Sequence, residues 1–155
     1  MKEILIIVGV LVVIFCVGGL VLNREKNPIS SDTFKIIMEG KGYLVSDSII
    51  PLVGYEDFIT KSCVVEKEGG YIAFYELASE GMAELMYSSE QLLIEVDKPK
   101  NVISLNTNMK HYSKYSLTAK GRYRYISRID NTLIYVDVDE NYKDMVKDIM
   151  KEIGY

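Results

Sequence analysis

The stretch that decides the fold is HYSKYSLTAKGRYRYISRIDNTLIYVDVDE, residues 111–140. Its β-branched and aromatic residues recur in three runs, 111–118, 122–129 and 132–138, and each run alternates in character as a strand does. Asp130-Asn131 is a suitable two-residue turn between the second and third runs. That turn sets Ile129 opposite Thr132, Tyr125 opposite Val136 and Tyr123 opposite Val138 on an apolar face. The other face then sets Arg124 opposite Asp137 and Arg122 opposite Asp139. The first turn, Ala119-Lys120-Gly121, reads as a three-residue loop, which places Leu117 against Tyr123 and Tyr115 against Tyr125. A slip of one residue would move every side chain to the opposite face.

Helices and a second hairpin flank this meander. Downstream, an acidic cap at Asp137 or Asp139 precedes Met145, Val146, Ile149, Met150 and Ile153 at helical spacing, so a last helix is expected to cover the apolar face. Upstream, Ser79 can cap a helix over 80–96, with Met82, Leu85, Met86 and Leu93 expected on its buried face. Gly69-Gly70 joins two β-rich runs, 60–68 and 71–78, as a hairpin. A first helix begins near Thr33, capped by Ser31 or Asp32, with Phe34, Ile37 and Met38 on one face. The expected class is therefore α+β: an antiparallel sheet, made of a hairpin and a three-stranded meander, packed with about three helices. The segments IIMEGKGY (36–43) and DIMKEIGY (148–155) echo one another faintly.

The N-terminal part is of a different kind. Residues 4–22, ILIIVGVLVVIFCVGGLVL, carry no charge and no polar face. Nineteen residues at the helical rise span roughly 28 Å, the thickness of a hydrocarbon core. The segment is expected to be a transmembrane helix inserted in the lipid bilayer. Residues 1–3 would be its tail, 23–31 a polar linker and 32–155 the α+β domain. The expectation that follows is a single-pass membrane protein with an extracytoplasmic domain, an interaction module of the cell envelope that binds an envelope protein or component. A cytoplasmic-facing regulatory domain is the alternative topology, because Arg24, Lys26, Lys35 and Lys41 follow the apolar run.

Composition narrows the function further. The formal net charge is -4, which suits neither phosphate neutralisation nor nucleic-acid binding. The two cysteines, Cys16 and Cys63, make neither a disulfide framework nor a zinc site. No phosphate-binding glycine loop and no hydrolase or metalloprotease motif occurs, so no cofactor is expected. A Cys63–His111 dyad is the one enzymatic reading, and it requires the fold to bring the two together. Residues 137–141 open like a calcium loop, but Tyr142 stands where the loop's sharp turn requires Gly. Arg122 and Arg124 have acids opposite them, whereas Arg128 faces Leu133 and has none. Ile126, Arg128 and Tyr135 are therefore the candidate binding residues, expected on an open outer face of the meander.

Overall fold

A computed structural model describes residues 26–47, 54–67 and 69–155. Helix α1 (Ser31–Gly40) is followed by strands β1 (Val45–Ser46), β2 (Ile59–Lys67) and β3 (Gly70–Leu77). Helix α2 (Glu80–Val96) leads to β4 (Leu105–Asn108), β5 (Tyr112–Ala119), β6 (Arg122–Ile129) and β7 (Thr132–Asp139), and helix α3 (Lys143–Ile153) closes the order. The strands form one seven-stranded sheet in the order β1-β2-β3-β7-β6-β5-β4. Every neighbouring pair is antiparallel.

This sheet is larger than the hairpin and meander read from the sequence. Pairing of β3 with β7, from Tyr71 opposite Asp137 to Glu76 opposite Thr132, fuses those two pieces. The short strands β1 and β4 extend the edges. Helices lie on both faces. On one, α1 and α3 bury Phe34, Met38, Val146, Ile149 and Ile153 against Phe74, Tyr123, Tyr125 and Val136. On the other, α2 buries Ala83, Met86, Tyr87 and Ile94 against Tyr75, Tyr115, Ile126 and Leu133.

Burial on both faces explains two corrections to the sequence reading. The register of β6 with β7 is as expected, with Tyr125 opposite Val136 and Arg124 opposite Asp137. The β5–β6 register differs by one residue. Lys120 (φ 53°) and Gly121 (φ 75°) alone make the turn, both in the left-handed conformation that a tight two-residue hairpin demands. Leu117 therefore pairs with Arg124 and Tyr115 with Ile126, which places both beneath α2. A three-residue loop would keep all the apolar residues on one side. The second correction follows from the same cause: two cores receive them instead.

Caps define the helix starts. The Ser30 hydroxyl accepts from the Thr33 amide at 3.1 Å, so the cap lies one residue before Ser31 and two before Asp32, the caps expected from the sequence. Ser79 accepts from the Met82 amide and caps α2 as expected. Asp139 caps a single 3-10 turn, Glu140–Tyr142, that feeds α3.

The expected anchor finds no support here. No helix among the described residues is long and apolar enough to cross a membrane. Residues 4–22 lie outside the described residues. The reading as a single-pass membrane protein with an extracytoplasmic domain is therefore withdrawn, and among the described residues the fold is a seven-stranded antiparallel sheet with three helices.

Candidate functional site

The candidate outer face of the meander is not open. Ile126, Arg128 and Tyr135 are all buried, because α2 lies across them. Arg128 is the most informative of the three. Only 1% of it is exposed, the extreme for a residue that is almost never buried unpaired. Its Nη2 donates to the Lys110 carbonyl at 2.9 Å, and its Nη1 lies 3.4 Å from both the Asp130 carbonyl and Glu80 Oε1. Glu80 is the first residue of α2. The guanidinium thus ties the start of α2 to the loop before β5 and to the β6–β7 turn. The sequence correctly showed that Arg128 lacks a cross-strand acid; its acid comes from a helix far away in the chain.

His111 joins this clasp. Its Nδ1 lies 3.1 Å from Glu80 Oε1 and 3.2 Å from Asp130 Oδ1. The ligand atoms of Glu80, His111 and Asp130 lie within 4.8 Å of one another, a spacing that a metal ion could use. The donor set does not fit one well. The Glu80 oxygen that would ligate already accepts from His111 and faces the Arg128 guanidinium, so a cation would be held against a fixed, buried positive charge. The arrangement is a charge-paired clasp.

The Cys63–His111 dyad does not form. Cys63 lies on β2 and His111 precedes β5, with β3, β7 and β6 between them. Four strand spacings amount to about 19 Å. Cys63 is buried against α1, its thiol 3.7 Å from the Ser31 carbonyl, and burial pushes its pKa up, away from the reactive thiolate. The acidic run after β7 is engaged as well. Asp137 accepts from Arg122 at 2.8 Å and lies 3.6 Å from Arg124, while Asp139 serves as a cap.

What the sequence reading missed is the orientation of α2. Its buried side is Ala83, Met86, Tyr87, Glu90 and Ile94. Leu85, Leu92, Leu93 and Val96 point outward and are 53%, 64%, 63% and 77% exposed. At about 100° per residue, Leu85, Leu92 and Val96 fall within about 40° of one another, with Leu93 to one side. Glu84 and Glu95 border the stripe on its other side. The helix carries Glu80, Glu84, Glu90 and Glu95 and neither Lys nor Arg. A carboxylate is therefore inside while four aliphatic side chains are outside. Burial raises the pKa of Glu90, which faces Tyr71, Tyr75 and Tyr135. No cation pairs with it among the described residues. The signal for this was legible: α2 has two apolar stripes at helical spacing, and only one can face the sheet.

No protein-family model matches the chain, and no curated protein matches it. A solved structure does, the crystal structure of a GTP-binding regulator from Thermotoga maritima. The two share a TM-score of 0.51 and 22% identity, over 77% of this chain and 83% of that one. At that identity the likeness establishes the fold. An envelope module anchored in a membrane, the function expected from the sequence, draws support neither from this neighbour nor from any described helix.

Proposed function

We propose that this domain is a non-catalytic regulatory binding module that docks a partner protein on the outward stripe of α2. The carrying observation is the inverted helix: Leu85, Leu92, Leu93 and Val96 face out while Glu90 faces in. Fully burying one such aliphatic side chain is worth ~1.5–3 kcal/mol, so a partner covering the stripe gains a substantial apolar anchor. Glu84 lies along one border with no basic residue on the helix to offset it, while Glu95 beside it is held by Lys98 at 2.7 Å; the border favours a partner that is apolar in the centre and basic at its rim, such as an amphipathic helix with Lys or Arg flanks. A second copy of this chain would bring acid against acid there. The Arg128–Glu80 clasp fixes the helix on the sheet and so fixes the side it presents. The fold shared with a GTP-binding regulator is in keeping with a module that acts by binding.

A synthetic amphipathic helix of leucine and lysine, about five turns long, tests the reading against a leucine–glutamate counterpart. The basic peptide is expected to bind saturably, and Leu92→Gln with Leu93→Gln to abolish that binding while the fold is kept. Equal binding of both peptides, binding unaffected by the double substitution, or no binding of the basic peptide would refute it. So would a concentration-dependent dimer that the same substitutions dissolve, since that would make a second copy the occupant.

A further inference from the structure

On the opposite face of the sheet, a pocket of about 280 Å³ opens between β5, β6 and the end of α3. Four lysines reach it from three directions: Lys26 ahead of α1, Lys114 on β5, and Lys147 and Lys151 on α3. Tyr125 and Tyr155 add their rings, and no Asp or Glu lines it. Such a gathering runs against the net charge of -4.

The bland explanation covers only part of it. Lysines near the C-terminal end of a helix are favoured by the helix dipole, which accounts for Lys151 and for Lys26, whose Nζ donates to the Gly154 carbonyl at 2.6 Å. Lys147 has Asp144 at 3.2 Å. Lys114 has no such account. It is half-buried and its ammonium lies 5.3 Å from the centre of the Tyr125 ring. No acid pairs with it among the described residues. Burial lowers its pKa, and burial together with the nearby Lys114 charge lowers that of Lys26. A desolvated cation without a counter-charge is costly to keep.

The wall under this ammonium is closed and aromatic: Tyr125 is 1% exposed, so it is the lysine and not the ring that faces the pocket's opening.

We infer that this pocket is a binding site for a phosphate-class oxyanion, with the half-buried Lys114 as its counter-charge and Lys26 and Lys151 at its mouth. The volume admits a di- or triphosphate group, and phosphate free in solution and phosphate carried by a nucleotide offer it the same chemistry. This site is separate from the α2 stripe and stands or falls without it.

The experiment is a titration of the full chain with inorganic phosphate, pyrophosphate and GTP at low salt, followed by tyrosine fluorescence and calorimetry. At least pyrophosphate is expected to saturate. GTP binding like pyrophosphate assigns recognition to the phosphates alone, and tighter GTP binding adds the nucleoside; both uphold the site. Lys114→Met is expected to weaken binding by about tenfold or more, as loss of a charge-assisted contact does. Lys61→Met, on β2, should leave it unchanged. Lys151→Gln, at an exposed position, provides the same reading if Lys114→Met fails to fold. No saturable binding of any of the three ligands overturns the site. Equal weakening by Lys61→Met and by the pocket variants does so too, because it would reduce the effect to overall charge.

Discussion

Arg128 and Glu80 meet beneath the first turn of α2, Nη1 to Oε1 at 3.4 Å, and join the middle of the sheet to the start of a helix 48 positions earlier in the chain. The guanidinium also takes three carbonyls, of Met109, Lys110 and Asp130. Removing it strands those acceptors and the carboxylate. Arg128→Met is therefore expected to destabilise the fold by about 3 kcal/mol, and Arg128→Lys by nearly as much, because an ammonium cannot span the same fork of acceptors. Urea denaturation measures both. A loss below about 1 kcal/mol for either would show that the clasp does not hold α2.

Glu90 gives a pH-dependent prediction. Burial raises its pKa in the folded state, so the folded chain holds this proton more tightly than the unfolded chain does. Stability from this group falls as pH rises from the ordinary carboxylate value, and the full penalty is present above the raised folded value. Glu90→Gln is expected to raise the urea midpoint at pH 7. The advantage should shrink as the pH is lowered through the ordinary carboxylate range and vanish below it, where the wild-type carboxyl is protonated in both states. A variant less stable than wild type at pH 7 would contradict this account.

The β3–β7 seam rests on one glycine. A Cβ on Gly70 would lie 2.0 Å from the Asp137 carbonyl oxygen and 2.7 Å from Val138 Cα, both backbone atoms with no freedom to move aside. Gly70→Ala is expected to cost about 3 kcal/mol. Gly40, in α1, has nothing within 4 Å of the same position, and Gly40→Ala should stabilise by about 0.5 kcal/mol. Thermal melts of the two variants should move in opposite directions; matching shifts would refute the seam.

Cys63 should be chemically quiet. It is buried, and burial holds its thiol in the protonated form. Alkylation followed by peptide mass spectrometry is expected to leave Cys63 unmodified in the folded protein and to modify it fully in urea. Rapid native labelling would mean that α1 does not stay closed over β2.

Much of this fold was legible in the sequence, because meander and hairpin contacts are local. Asp130-Asn131 fixed the β6–β7 register, and the alternation of Tyr123, Tyr125, Val136 and Val138 named the core beneath α3. The β5 register was misread because a lysine, not a glycine, adopts the first left-handed position of its turn. The β3–β7 seam was invisible because it pairs strands about 60 residues apart, and no local pattern marks such a pairing. The clasp was half legible: Arg128 stood out as lacking a partner, but its acid arrives with α2. The side presented by α2 was misjudged for a related reason. Hydrophobic periodicity finds the stripes on a helix, and only the tertiary contacts of Ala83 and Ile94 choose between them.

The central claim is that the outer stripe of α2 is a docking surface. Methyl-resolved NMR of the full chain, titrated with the leucine–lysine helix, tests it most directly. The account predicts saturable shifts at Leu85, Leu92, Leu93 and Val96, with the core methyls of Ile126, Leu133 and Val136 unmoved. Shifts spread evenly over the surface, or centred on the sheet's β1 edge, would contradict it.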